Sequence, residues 1–166
     1  MRYRAGFTIV ELLITLTIMV ILITLATVNL MDSLTHGRDV ERETDVQNII
    51  VFQENMYIRN SGAYFPTPAT RTGVAGFYTN INMNNLRAPD FTGSSTDTSL
   101  VAATNTTQTT SGVRPIPTTA TYVYQPLTST GALCTSAAPP WQCRKFNIYY
   151  MKETDGSIVM LSSKNQ

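Results

Sequence analysis

The sequence has few charged residues and very little of the histidine and cysteine that many catalytic and metal sites use. Only 14% of its 166 residues are Asp, Glu, Lys or Arg, and there are one histidine and two cysteines. Neither a glycine-rich phosphate loop nor a nucleophile motif in a supporting context is present. The formal net charge of +1 provides no field that would attract nucleic acid. We therefore expect neither an enzyme nor a metal or cofactor site.

Glycine and proline are absent from one stretch, residues 7–30, which carries a single formal charge, Glu11. A helix over this stretch is about 36 Å long, enough to cross a hydrocarbon layer of roughly 30 Å. Arg2 and Arg4 precede it, so we expect the N-terminus on the cytoplasmic side and the rest of the chain across the membrane. The run is too long for a cleaved secretory signal peptide, and no small-residue cleavage site follows Leu30.

Glu11 is the unusual residue of this stretch, because an unpaired carboxylate in a membrane is costly and marks a functional position. It could simply lie near the helix end and reach the lipid headgroups. Alternatively, if the chain is cut between Gly6 and Phe7, a new α-amino group appears one helical turn before Glu11. In a bundle of staggered copies, the amine of one copy could pair with Glu11 of the next and fix the stagger.

Three features stand in fixed register here: a short basic leader ending in Gly6, Phe7 after it, and Glu11 four residues later at the start of a long apolar helix. In this the chain resembles type IV prepilins and the related pseudopilins. The resemblance implies that a membrane prepilin peptidase cuts after Gly6 and methylates the amine of Phe7. It also implies that Glu11 guides subunit assembly.

The resemblance further implies a location and partners. The protein would wait in the cytoplasmic (inner) membrane and then enter an extracellular filament on the cell surface. Its partners would be copies of itself, other pilins, the prepilin peptidase and an inner-membrane assembly platform.

The expected fold class is α+β, with a long N-terminal helix whose C-terminal half packs on a small antiparallel sheet of three to four strands. The segments we predict are the leader (1–6), the membrane or filament-core half of the stalk helix (7–30), its amphipathic outer half (31–59) and a globular head (60–166).

Within the outer half, the polar residues 35–45 are typical of a solvated helix face just outside the membrane, and Gly37 makes a bend or break plausible. From Val46 an apolar stripe at helical spacing predicts a face that packs against the head. The helix should end near residues 60–62, with Gly62 as its left-handed terminator.

In the head, half of residues 92–121 are Ser or Thr, which indicates a surface loop that Leu100 and Val101 could pin to the core. A short strand over 76–81 and a helical turn over 82–86 precede it. Three strands are predicted at 121–126, 145–152 and 157–162, the last two as a hairpin turning at Asp155-Gly156. The strand at 145–152 alternates as if half-buried.

The two cysteines, Cys134 and Cys143, are close in sequence and lie in the part of the chain expected outside the cell. An even count in such a location suggests a disulfide between them. The alternative is half of a metal site, but no histidine or further cysteine lies near.

Three functions remain open. The chain is a pilin that supports adhesion or twitching motility, a minor pilin or pseudopilin of a type II secretion or DNA-uptake machine, or an unrelated single-pass protein whose outer domain binds a ligand. The register of Gly6, Phe7 and Glu11 argues against the third. Binding of single-stranded DNA has little support in the sequence. It would rest on three basic residues that lie close in sequence to three aromatic ones: Arg144, Lys145 and Lys152, with Trp141, Tyr149 and Tyr150.

Overall fold

The computed structural model describes residues 6–66, 81–94, 97–135 and 142–165. The chain divides into two compact units, residues 1–37 and 38–166. In chain order the elements are helix α1 (Ile9–Arg59), a 3₁₀ helix (Met83–Leu86), and strands β1 (Leu100–Ala102), β2 (Tyr122–Leu127), β3 (Lys145–Met151) and β4 (Ile158–Ser162). The predicted α+β layout, a long N-terminal helix followed by a small sheet, is confirmed.

Helix α1 continues without interruption past Gly37, so the bend or break considered at that residue does not end the helix. A single interior glycine costs about 1 kcal/mol relative to alanine, whereas starting a new helix requires another unfavourable nucleus. The helix ends as predicted, because the Gly62 N–H donates to the Tyr57 carbonyl at 2.9 Å and Gly62 has a φ of 78°. Ser61 is left-handed as well, with a φ of 54°.

The sheet has the strand order β1-β2-β3-β4. Strands β2, β3 and β4 are antiparallel neighbours, as the hairpin prediction requires, with Tyr124 opposite Ile148 and Tyr150 opposite Val159. Strand β1 pairs parallel to β2, which makes the sheet mixed rather than purely antiparallel. Pro126 lies inside β2, opposite Phe146, and does not end the strand.

One face of the sheet packs against the stripe of α1 that begins at Val46, as predicted. Tyr124 and Phe146 are fully buried there, and their rings lie 5.7 Å apart. On the helix side the fully buried residues include Val46 and Ile49. This interface is the main apolar core of the second unit.

The other face of the sheet is covered by part of the Ser/Thr-rich segment. Ala103 and Val113 form a second buried cluster with Val123 and Tyr149. Strand β3 is therefore buried on both faces, and the half-buried prediction for it is wrong. The covering segment contributes few apolar residues, so an alternating strand pattern could not reveal it.

Gln125 holds the covering segment to the sheet. Its amide nitrogen donates to the carbonyls of Asn105 (2.8 Å) and Thr107 (3.1 Å), and its oxygen accepts bonds from Asn147 and Tyr149. Every polar atom of this buried side chain is thus satisfied. In the segment predicted as a surface loop, Leu100 and Val101 contact the core as expected, but they do so within strand β1, and the segment also contains a layer that covers the sheet.

The predicted helical turn at 82–86 is present as the 3₁₀ helix, with the Asn82 side chain accepting the Asn84 N–H at 3.0 Å. The predicted strand at 76–81 lies almost wholly outside the described residues.

Candidate functional site

The N-terminal site begins with three residues, Gly6, Phe7 and Thr8, that precede the first turn of α1. Thr8 is the N-cap, because its hydroxyl accepts the Glu11 N–H at 3.2 Å and its carbonyl accepts the Leu12 N–H at 3.2 Å. The peptide bond between Gly6 and Phe7 is therefore non-helical. Phe7 is 82% exposed. A protease that binds an extended segment has access to this bond.

Glu11 occupies the first turn of α1, where the helix dipole favours a negative charge. Thr8 and Glu11 have the spacing of a capping box, in which an acid stands three residues after the cap. The Glu11 side chain is exposed, and within the described part of the chain its carboxylate forms no ion pair.

Apart from Glu11, the first part of α1, residues 9–27, is apolar on all sides. An 18-residue window has a mean hydropathy of 2.7, and none of it is buried within the chain. Among the described helices this is the only one long and apolar enough to cross a membrane. Its threonines do not interrupt this character, because their hydroxyls donate to carbonyls one turn earlier; Thr17, for example, bonds Leu13 at 2.7 Å.

In the second unit, the largest departure from expectation is a charge cluster built around Arg42, which is fully buried. Its guanidinium donates to Asp39 (2.8 Å), Asp90 (2.6 Å) and Glu153 (3.1 Å), and to the Thr119 carbonyl (2.9 Å). We call these four charged residues, together with Arg38, the Arg42 cluster. The prediction that residues 35–45 form a solvated face is wrong for three of them, Asp39, Arg42 and Asp45, which are buried.

Asp39 is the second buried member of the Arg42 cluster. It accepts the N–H groups of Glu153 (2.7 Å) and Thr154 (3.1 Å) and the Thr154 hydroxyl (2.7 Å). Burial alone would raise the pKa of Asp39, but these bonds and Arg42 outweigh it and hold the pKa below its usual value. A hydrogen bond from Arg38 likewise lowers the pKa of Glu153. The cluster fastens α1 to the turn between β3 and β4.

Asp45 is a buried acid without a cationic partner among the described residues. Its carboxylate accepts the Tyr122 hydroxyl at 3.0 Å and is 7% exposed. Burial, with a smaller contribution from the charge of Glu41, raises the pKa of Asp45 from 3.8 to about 6. This group therefore titrates close to neutral pH.

A sequence signal for these residues exists in the spacing of α1. Asp39, Arg42, Val46, Ile49 and Gln53 follow one another at intervals of three and four residues, and all are buried. The buried stripe therefore begins with charged residues, about two turns before its first apolar member. A search limited to apolar residues begins the stripe too late.

Cys134 and Cys143 form the predicted disulfide. Its two ends are attached to different elements, since the Cys134 N–H donates to the Pro126 carbonyl and the Cys143 carbonyl accepts the Tyr64 N–H. The bridge thus links β2 to the segment after α1. It lies in the second unit, whereas Gly6, Phe7 and Glu11 lie in the first.

Two further hypotheses can be compared with the structure. Tyr149 and Tyr150, which the nucleic-acid hypothesis needed for stacking, are buried at 0% and 2% exposure and cannot stack on bases. Trp141 lies outside the described residues. Within the described ranges, no group of three or more His, Cys, Asp or Glu side chains is placed to hold a metal ion.

Comparison with known proteins supports the interpretation of the N-terminal residues as a leader followed by a methylation site. The family model described as the prokaryotic N-terminal methylation motif matches residues 1–27. No curated protein and no solved structure matches the chain. The motif and the apolar helix fit anchoring in a membrane, and the disulfide fits an exported head. The chain carries the class III leader motif of type IV pilins at its N-terminus, and this motif supports a type IV pilin- or pseudopilin-like protein.

Proposed function

We propose that this chain is the precursor of a structural subunit of a type IV pilus-like surface filament. A prepilin peptidase cuts between Gly6 and Phe7 and methylates the new amine of Phe7. The protein then stays in the cytoplasmic membrane through its apolar helix until an inner-membrane assembly platform moves it into the filament. There it associates with its own copies and with other pilins, and the filament serves adhesion or twitching motility. Neither catalysis nor a cofactor belongs to this role.

The observation that carries the proposal is the state of Glu11. It is the single formal charge in residues 7–30, it is exposed, and its carboxylate has no ion-pair partner in the described part of its own chain. A carboxylate in so apolar a setting needs a cation, and the cleaved terminus at Phe7 of another copy provides one. Pairing between copies also explains why the acid stands one turn after the cleavage point.

The structure of the head supports the proposal, because the contacts that stabilise this domain are made within it. The Arg42 cluster, the disulfide and the two apolar clusters all lie within residues 38–166. Glu54 holds the C-terminal segment to the head, because its carboxylate accepts the Lys164 N–H at 2.9 Å and the Tyr64 hydroxyl at 3.1 Å. Such a domain can be displayed while the apolar helix makes the contacts between subunits.

The test compares two neutralised carboxylates in cells that carry the chain. Glu11→Gln removes the proposed partner of the amine, and Asp32→Asn neutralises another exposed acid of the same unit. We expect cleavage and membrane insertion of both variants but surface filaments only from Asp32→Asn and the unchanged protein. Mass spectrometry of sheared filaments should find a chain that begins with methylated Phe7.

Normal filaments from Glu11→Gln alone would contradict the pairing, and a Met1 terminus on surface filaments would contradict the processing. The same experiment separates the two machines. If unchanged cells carry long filaments and cells that lack the gene lose twitching, the chain is a pilus subunit. If unchanged cells show no filaments and cells that lack the gene lose secretion or DNA uptake, it is a pseudopilin.

A further inference from the structure

Strand β4 is the last strand of the sheet, and within the described part of the chain one edge of its backbone has no partner strand. The Ser163 N–H donates to the Phe146 carbonyl, and the Lys152 N–H donates to the Ser157 carbonyl. In this antiparallel register the odd-numbered residues of β4 therefore point their backbone groups toward β3. The N–H and C=O groups of Ile158, Met160 and Ser162 point away from it.

Sheet edges are usually protected from pairing by a charge, a proline or a covering segment. Residues 157–163 contain no charged residue and no proline. Among the residues that the structure describes, none hydrogen-bonds the outward backbone groups of Ile158, Met160 or Ser162. Met160, in the middle of the strand, is 37% exposed. This edge can accept a further strand.

A polar cavity of about 130 Å³ lies beside the same strand, lined by Met160 and Ser162 of β4, Lys145 and Asn147 of β3, and Gln108 of the covering segment. Asn147 and Ser162 are bonded to each other at 2.7 Å. Lys145 forms no salt bridge with any described residue. Lys145 is the one charged residue of this lining.

We propose that β4 and this cavity form a docking site for a partner protein. The partner adds an extended segment as a fifth strand, antiparallel or parallel to β4, and places an Asp or Glu side chain in the cavity against Lys145. Backbone hydrogen bonds to Ile158, Met160 and Ser162 provide affinity, as in other strand-addition complexes, and the cavity selects an acidic segment.

The charge of the cavity argues for a different protein rather than for β4 of a second copy. Two β4 edges could pair with each other, but residues 157–163 bring no carboxylate to Lys145. An occupant that satisfies both the edge and the cavity must combine an extended backbone with an acid. All residues of the site belong to the second unit, residues 38–166.

The test uses the isotope-labelled full chain in detergent micelles and a short synthetic peptide of alternating valine and threonine with one central glutamate. The matched peptide carries glutamine at that position. We expect the glutamate peptide to slow hydrogen exchange at the outward amides of Ile158, Met160 and Ser162, and to bind about tenfold more tightly than the glutamine peptide, as expected for loss of a charge-assisted bond.

Three variants, one of them a control, assign the effect to the cavity and to the strand edge. Lys145→Gln should abolish the difference between the peptides, whereas Lys152→Gln, a lysine that does not line the cavity, should preserve it. Met160→Pro removes an outward N–H while leaving the bonds to β3 in place, and it should weaken both peptides.

Equal binding of the two peptides to the unchanged protein would overturn the role of Lys145. Unchanged exchange at the β4 amides at saturating peptide would overturn the docking site. Protection of those amides without peptide, together with a dimer in sedimentation that Met160→Pro dissociates, would show that a second copy occupies the edge and would also overturn the proposal.

Discussion

The buried carboxylate of Asp45 makes the stability of the head depend on pH near neutrality. In the folded chain its pKa is about 6, against 3.8 for the free side chain. The folded state therefore holds the proton more tightly than the unfolded state does. The stability from this group is fully present below about pH 4, falls as pH rises through 6, and stays low above pH 7.

The magnitude follows from the difference between the two pKa values. A shift of about two pKa units corresponds to about 3 kcal/mol, which is an upper bound on the cost of the charged form. Asp39 and Glu153 act in the opposite direction, because their pKa values are lowered in the folded chain. Their contribution is lost only as pH falls below about 4. Between pH 5 and 8 the dependence on Asp45 should dominate.

The variant Asp45→Asn isolates this effect, because its side-chain carbonyl can still accept the Tyr122 hydroxyl. We expect its unfolding free energy, relative to that of the unchanged protein, to rise by about 1–1.5 kcal/mol between pH 5 and pH 8, because the rest of the difference develops below pH 5. Urea unfolding of the full chain in detergent, followed by the near-ultraviolet circular dichroism of the tyrosines, measures it. Glu43→Gln, an exposed acid two residues away, is the control and should show a flat difference.

A constant offset between Asp45→Asn and the unchanged protein at every pH would refute the reasoning, because it would mean that the charge of Asp45 costs nothing when buried. A difference that falls as pH rises would reverse the sign and refute it equally. The absolute stability of the variant decides neither point, since the new amide group introduces its own hydrogen-bonding needs.

The other predictions concern the contacts that close the head. Arg42→Met should destabilise the head by about 3–5 kcal/mol, because three carboxylates lose their shared cation; urea unfolding measures it, and a loss below 1 kcal/mol would contradict the buried network. Replacing both Cys134 and Cys143 by serine should cost about 2–3 kcal/mol through the unfolded state, and equal midpoints for the oxidised and reduced protein would contradict this. Glu54→Gln should increase hydrogen exchange at the Lys164 amide, and unchanged exchange there would remove the role of Glu54 in holding the C-terminal segment.

The elements that sequence reasoning predicted correctly are those whose signal is local. The long apolar stretch, the stripe from Val46 and the hairpin around Asp155-Gly156 each follow from a repeated spacing or a turn signal within a few residues. The N-terminal motif is local as well, since Gly6, Phe7 and Glu11 lie within two turns. The comparison with known proteins matched that same region, residues 1–27.

What the sequence did not reveal depends on partners far apart in the chain. Arg42 is 48 residues from Asp90 and 111 from Glu153, so a local pattern can place it on the buried face of α1 but cannot identify its partners. The layer on the second face of the sheet is hidden for a different reason. Gln125 binds this layer through the backbone carbonyls of Asn105 and Thr107. Because every residue has a backbone carbonyl, such a contact leaves no signal in the sequence.

The position of the charges along α1 has a consequence for how the head is fastened. An apolar stripe alone permits a helix to slide by one turn against a sheet, because one aliphatic contact replaces another at small cost. Arg42 does not permit this, since a shift of one turn would separate it from Asp90, Glu153 and the Thr119 carbonyl together. A buried, unpaired guanidinium costs more than the packing lost in such a shift. We therefore expect the Arg42 cluster to fix the register of α1, while Val46 and Ile49 provide most of the apolar burial.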